Sequence, residues 1–235
     1  MSLQDVAFIG IDGAGKSTWA NALAERLRGS GHEVEVTSIA RVARADGELR
    51  SDEIKALYRA ANILVDASID PEPSHAPLLE AGLVDVAASL AFRRTTVSVG
   101  QRQGRWIIEE THPLKHVLKE LLVIEECSGG RHAASVLQRL VDALLPDICA
   151  SRMVFVDCPI GLAWERCASR GEPNSHEIFP ASDDVEDGFL RLQEPLGERL
   201  RELARSLQWW VVPPTAEEHL IESLARACVE GLSNG

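Results

Sequence analysis

The chain has 235 residues, 36 of them acidic and 24 basic, for a formal net charge of −12. With 45% apolar and 26% charged side chains it has an ordinary globular composition, and a chain of this size should bury about 70% of its unfolded surface without needing a metal or disulfide. The acidity argues against a sequence-independent nucleic-acid binder, no run of about 18 apolar residues marks a membrane span, and the start MSLQDVAFIG lacks the basic and long apolar parts of a signal peptide.

Val6-Ala7-Phe8-Ile9 is a short apolar run that stops at Gly10, as suits a strand buried on both faces of a parallel sheet. From Lys16 the period changes: Trp19, Leu23 and Leu27 recur every four residues, which predicts a helix with one buried stripe, ended by Gly29 and Gly31. Residues 33–39 alternate enough for a second strand. Residues 46–100 read as mostly helical, interrupted by a proline-bearing bend over 66–77. Residues 105–108 form a third strand running into Glu109-Glu110. Two helical stretches follow, the second closed by Pro146, and residues 153–156 form a fourth strand stopping at Asp157. Residues 169–182 are polar and read as a mobile loop. A long helix then carries Phe189, Leu192, Leu196, Leu200, Leu203 and Leu207 on one face, with Pro195 expected to kink it. That stripe suits a core or a dimer face. Residues 209–212 make a fifth strand, and Leu220, Leu224, Cys228 and Leu232 lie in register on a last helix. Strands alternating with helices imply a doubly wound α/β sheet. Five scattered cysteines, Cys127, Cys149, Cys158, Cys167 and Cys228, never form CxxC and read as reduced thiols of a cytoplasmic protein.

Gly10-Ile11-Asp12-Gly13-Ala14-Gly15-Lys16-Ser17 fits G-x-x-x-x-G-K-[ST], between a predicted strand and a predicted helix. The glycines let backbone approach phosphate oxygens closely. Unpaired N–H groups at the helix start point toward the anion. Lys16 adds a point charge toward the β- and γ-phosphates, and the Ser17 hydroxyl is placed for Mg²⁺. Gly10, Gly13, Ala14, Gly15, Lys16, Ser17 and Thr18 are therefore the candidate ATP-binding residues. No N-K-x-D occurs, and the one D-x-x-G lies inside this loop, which argues against a GTP switch. The expected architecture is an α/β P-loop NTPase fold. Its five-stranded, mostly parallel sheet is flanked by helices, in one domain over 1–235, with a helical acceptor side at 46–100 and a lid at about 166–185.

The stretch Phe8 to Thr18, with its G-x-D-G-A-G-K-S-T form, resembles the start of thymidylate kinases and their deoxynucleoside-kinase relatives. Leu90-Ala91-Phe92-Arg93-Arg94 looks like the family helix that offers an aromatic and an arginine to the acceptor nucleotide. Residues 162–171 look like the helix entering the lid, where arginines reach the transferring phosphate. The resemblance implies an Mg-ATP-dependent kinase, possible homodimers, and lid roles for Arg166 and Arg170. The chain also departs from the pattern. Where thymidylate kinases place Asp-Arg-Tyr and deoxynucleoside kinases Glu-Arg-Ser, it has Glu109-Glu110-Thr111, and after strand two it has Ser38-Ile39-Ala40-Arg41 in place of Arg-Glu-Pro-Gly. A carboxylate at position 110 would repel a dianionic acceptor by about 4 kcal/mol at 4 Å and an effective dielectric near 20. A neutral or differently shaped acceptor is thus at least as well served as thymidylate.

These readings assign Lys16, Asp12, Glu109, Arg166 and Arg170 to catalysis, with Asp12 orienting or deprotonating the acceptor or else bracing the loop. Ser17 and Glu109 are assigned to the metal. Phe92, Arg93, Arg94, Glu110 and Arg41 are assigned to a small-molecule acceptor, against rival readings as core or surface. His112 and His116 lack an evident third ligand and read as solvated. A P-loop ATPase or polynucleotide-end kinase with a macromolecular partner, and a nucleotide-binding regulator without transfer activity, stay open as alternatives.

Overall fold

A computed structural model describes residues 4–45, 51–69, 74–171, 173, 176–180 and 182–230. The start of the expected helical side (46–50), residues 172, 174, 175 and 181 of the expected lid, and Leu232 lie outside the described residues. Five strands, β1 (Asp5–Ile9), β2 (Val34–Thr37), β3 (Trp106–Glu109), β4 (Arg152–Val156) and β5 (Trp210–Val212), form one sheet in the order β2-β3-β1-β4-β5. Every pairing is parallel, so the sheet is all-parallel rather than mostly so. The helices are α1 (Lys16–Gly29), α2 (Ile39–Arg44), α3 (Asp52–Ile69), α4 (His75–Phe92), α5 (Ser98–Arg102), α6 (Leu114–Glu126), α7 (Arg131–Ile148), α8 (Ile160–Ala168), α9 (Val185–Ser206) and α10 (Glu218–Glu230). A π-helical turn over Arg93–Val97 joins α4 to α5.

The central strands explain their apolar runs. Val6, Ala7, Phe8 and Ile9 of β1 are fully buried, covered on both faces as a parallel sheet requires. From β1 the chain passes through α1 to the sheet edge at β2, and later crosses to β4 on the other side. The crevice beside the carboxyl end of β1 is thus a topological switch point, where open α/β sheets bind ligands.

Several boundaries differ from the sequence expectation. Ser38 accepts the Arg41 N–H and caps α2, which ends the second strand early. The expected bend at Asp66 is still helix, through Ile69. Pro146 and Pro195 both sit inside continuous helices. Of the expected stripe, Phe189, Leu192, Leu196 and Leu200 are buried within the chain itself, Leu203 is half-buried, and Leu207, just past α9, is 43% exposed. The helical run His75–Arg102 is long and apolar enough to cross a membrane by length and composition alone. Here α4 packs against α3, α6 and α7. Gly82 permits that closeness, since a Cβ there would stand 2.5 Å from the Leu137 side chain. None of the five cysteines forms a disulfide among the described residues.

Candidate active site

The phosphate-loop motif lies where the switch point predicts, between β1 and α1. Its glycines are needed for different reasons. Gly13 and Gly15 adopt φ of 77° and 96°, which side chains rarely reach. At Gly13 a Cβ would also stand 2.2 Å from the Ala163 carbonyl oxygen on α8. Gly10 is constrained by the neighbouring strand, its virtual Cβ falling 2.8 Å from the Val156 carbonyl oxygen. The Lys16 ammonium is buried and donates to the carbonyl oxygens of Gly10 (3.1 Å) and Ile11 (2.7 Å). Burial, then the nearby Lys115, lower its pKa to about 7. An ammonium so destabilised gains from any anion that arrives.

A cleft of about 620 Å³ opens over this loop. Asp12, Gly13, Gly15, Lys16, Ser17 and Thr18 line it, facing Arg166, Ser169 and Arg170 and the 214–216 turn after β5. The turn is tied to α1 by the Trp19 indole N–H, which donates to the Pro213 carbonyl at 2.8 Å. Arg166 donates to the carbonyls of Gly13, Ala14 and Pro214 at 3.3 to 3.4 Å, so it bridges the two walls. Arg170 donates to the Cys167 sulfur at 2.9 Å and lies 3.8 Å from Glu177. Both arginines expected in the lid therefore face the cleft.

A second cavity of about 350 Å³ lies beside it, walled by α2, α3, α4, α6, α9 and the segment His176–Pro180. Asp12, Thr111 and Lys115 line both spaces. Sequence reasoning missed the groups that dominate this junction. Lys115 and Lys119, one turn apart on α6, both donate to the Asp12 carboxylate. Gln193 of α9 adds a bond from its amide nitrogen to the same carboxylate (2.9 Å) and accepts the Asp12 backbone N–H (3.0 Å). Burial alone would raise the Asp12 carboxyl, but Lys115, Lys119 and Lys16 together hold it well below the usual carboxylate range. Such a carboxylate is an anchor, poorly suited to take a proton.

The strand-end acids separate. Glu109 is 1% exposed, lines neither space, and neither of its carboxyl oxygens has a hydrogen-bond partner. Burial pushes its pKa up to about 8, so it is a neutral acid inside the sheet. The expected roles of Glu109 as base and metal ligand are thus corrected by its placement. Glu110 does line the second cavity, and Arg41 grips it through Nε (2.7 Å) and Nη2 (2.9 Å). The expected repulsion from Glu110 is offset by that guanidinium, and Arg41 itself is committed to Glu110.

Three expected acceptor residues lie elsewhere. Phe92 is fully buried with Ile39, Val42, Ile54 and Ile107 in a second core cluster. Leu78, Asp85 and Phe92 share one helical stripe at a spacing of seven, but Phe92 stands about 10 Å along the axis beyond Asp85. Only Leu78 and Asp85 line the cavity. Arg93 pairs with Asp5 at the start of β1, the opposite end of that strand from the phosphate loop. Arg94 pairs with Glu53 at 2.7 Å on the surface. Of the two histidines, His112 is not solvated and His116 is half-buried. His112 is fully buried, accepts the Leu114 N–H at Nδ1 (3.2 Å) and so presents Nε2–H to the Ile148 carbonyl (3.0 Å). Burial lowers its pKa to about 4. His116 lines the second cavity, and burial, then Lys115 and Lys119, lower it to about 3.

As a metal site the cleft fits only in part. Ser17 offers its hydroxyl, whereas Asp12, the only carboxylate among the residues lining the cleft, is held by two lysines.

No protein-family model matches the chain, and no curated protein matches it significantly. Among solved structures it is similar to the deoxyadenosine kinase from M. mycoides with bound dCTP. The identity is 12% and the TM-score 0.53, over 96% of this chain and 98% of that one. The likeness is one of fold. Together with the all-parallel sheet and the loop between β1 and α1, it defines a P-loop kinase fold.

Proposed function

We propose that the protein is a cytoplasmic kinase that transfers the γ-phosphoryl group of ATP to a small acceptor, a nucleoside, nucleotide or related metabolite. The observation that carries this reading is the shared wall: the cleft over the phosphate loop and the enclosed cavity meet at Asp12, Thr111 and Lys115. A donor in one and an acceptor in the other would bring reacting atoms together across that wall, which is the main contribution proteins make to phosphoryl transfer.

In this reading the loop amides and Lys16 hold the nucleotide phosphates, with Thr18 and Ser17 at the helix start. Arg166 and Arg170 reach the same oxygens from α8 and its exit. Mg²⁺ arriving with ATP would neutralise phosphate charge, and Ser17 is the group here to meet it. Lys115 supplies the cation at the junction that the family arginine supplies elsewhere. Glu110, the strand-end carboxylate lining the acceptor cavity, takes the hydroxyl proton as the acceptor oxygen bonds to phosphorus and the bond to ADP breaks; its partner Arg41 is half exposed and screened, whereas Asp12 is held by two buried lysines.

The test is ADP release from Mg-ATP with nucleosides, nucleoside monophosphates, sugars and amino sugars, and oligonucleotides as acceptors. Release that requires one small acceptor is the expected result. Release with no acceptor would instead indicate an ATPase. Tight ATP binding without turnover on any acceptor would indicate a regulator.

A further inference from the structure

Of the three residues in the wall shared by cleft and cavity, Asp12 and Lys115 are bonded to each other. Thr111 is not engaged in this way. It is half-buried, and neither its hydroxyl nor its backbone N–H has a hydrogen-bond partner among the described residues. The free N–H has a cause in the sheet. Parallel β3 and β1 place Glu109 beside Ala7, and in such a ladder every second N–H of one strand reaches the same neighbour. The Ile107 N–H donates to the Gln4 carbonyl at 2.9 Å. Steps of two would carry the Glu109 N–H to Val6 and the Thr111 N–H to Phe8. The Phe8 carbonyl is taken instead by the His112 N–H, at 2.9 Å. Thr111 is therefore an extra residue at the strand end, as in a β-bulge, a device that re-aims side chains beside sites.

The extra residue is pinned on both sides. The Glu110 N–H donates to the Thr37 carbonyl of β2 at 2.9 Å, and His112 is tied to β1 by its backbone and to Leu114 and Ile148 by its ring. Donors fixed in advance cost little reorganisation when charge develops beside them. An N–H can only donate and a threonine hydroxyl donates readily, so the two together suit an oxygen that carries negative charge. Lys16 and Arg166 line the cleft but not the cavity, whereas Thr111 stands where the two spaces meet.

The geometry points to an oxyanion clamp: the Thr111 hydroxyl and N–H hold an oxygen of the phosphoryl group as it passes from cleft to cavity. The inference rests on the reading of the cleft as donor site and the cavity as acceptor site. It adds a group that acts on the phosphoryl in transit, neither on ADP nor on the body of the acceptor. Loss of the hydroxyl should accordingly spare ADP binding and weaken only what occupies the junction.

The test uses the full chain and two probes, Mg-ADP alone and Mg-ADP with aluminium fluoride, which stands in for the phosphoryl group in transit. Affinities are measured by calorimetry for the unaltered protein, Thr111→Val and Thr111→Ser. Aluminium fluoride is expected to tighten Mg-ADP binding to the unaltered protein and to Thr111→Ser. Thr111→Val should lose about tenfold or more of that gain, as for a hydrogen bond to a charged group, while binding Mg-ADP alone as tightly as the unaltered protein. A smaller loss in Thr111→Val, the same loss in Thr111→Ser, a parallel loss of Mg-ADP affinity, or no gain in the unaltered protein overturns the proposal. Should Thr111→Val not fold, Thr111→Ala gives the same reading. Failure of the unaltered protein to bind Mg-ADP would overturn the kinase reading and the clamp with it, whereas Mg-ADP binding with an undiminished gain in Thr111→Val removes the clamp alone.

Discussion

Lys115, on the first turn of α6, bonds to Asp12, inside the phosphate loop more than a hundred residues earlier. An ammonium is thereby fixed at the junction of the two ligand spaces before any ligand arrives. The pair is almost wholly buried, with side-chain exposures of 4% and 13%. Breaking such a pair from one side leaves a charge uncompensated and typically costs about 3–5 kcal/mol. Asp12→Asn should therefore lower stability by roughly that amount, since it strands two lysines, and urea unfolding monitored by far-ultraviolet circular dichroism would measure it.

Lys115→Ala should reduce kcat about a hundredfold while moving the KM for ATP little, because the ammonium is placed for charge that develops in transfer. Lys115→Arg should recover part of the loss. A change confined to KM would reassign Lys115 to ground-state binding.

Lys16→Ala should abolish transfer, by at least about a thousandfold, and leave the fold intact. The expected melting temperature is no lower than that of the unaltered protein, since the substitution removes a buried ammonium whose pKa has already fallen to about 7. Retained activity would remove the phosphate-loop assignment.

The two strand-end acids should behave differently. Glu110→Gln is expected to lower kcat by about a hundredfold as the group facing the acceptor, and Glu109→Gln to leave kcat unchanged. Arg41→Met should weaken binding of a phosphate-bearing acceptor, which the freed Glu110 carboxylate repels, and leave that of a neutral one little changed. Because Arg41 is half exposed, the coupling between the two in a double-mutant cycle should be only about 1 kcal/mol.

The pH dependence of stability follows from the buried Glu109 and His112 and the half-buried His116. The Glu109 pKa is raised, to about 8, so its stabilising contribution is full below the unfolded value near 4.5 and declines as pH rises through 8. The pKa of His112 is depressed to about 4 and that of His116 to about 3, so their contribution is full above about 6.5 and is lost as pH falls toward 3. Glu109→Gln should flatten the alkaline decline by a few kcal/mol and leave the acid limb in place, as melting from pH 4 to 9 would show.

The phosphate loop and the strand–helix alternation were legible because both are local. Glycine spacing and a period change are written within about 15 residues, and the loop's clash limits against Val156 and Ala163 only reinforce them. The acceptor side was harder to read. Lys115 and Lys119 alternate with Leu114, Val117, Leu118 and Leu121 along α6, a pattern that reads as a solvated edge on an apolar helix. Only the packing of α6 against the loop buries both lysines. Phe92 was assigned by the likeness of the stretch Leu90–Arg94 to a family helix, and here the aromatic of that stretch packs into the second core cluster instead of the cavity. Asp5 was the unread clue for Arg93: an acid opening a buried strand needs a cation, and Arg93 is the one that reaches it.

Gln193, on α9 and outside every motif, makes three hydrogen bonds in the site. Its amide accepts the Asp12 backbone N–H, donates to the Asp12 carboxylate, and donates to the Glu177 carbonyl at 2.9 Å. Lys119 repeats the connection, from Asp12 to the His176 carbonyl. The backbone at 176–177 is thus bolted to the same carboxylate that sets the charge of the phosphate loop. Displacement of that segment cannot be a local event. It strips a hydrogen bond from Gln193 and another from Lys119, and so alters the field at Lys16 without any contact to it.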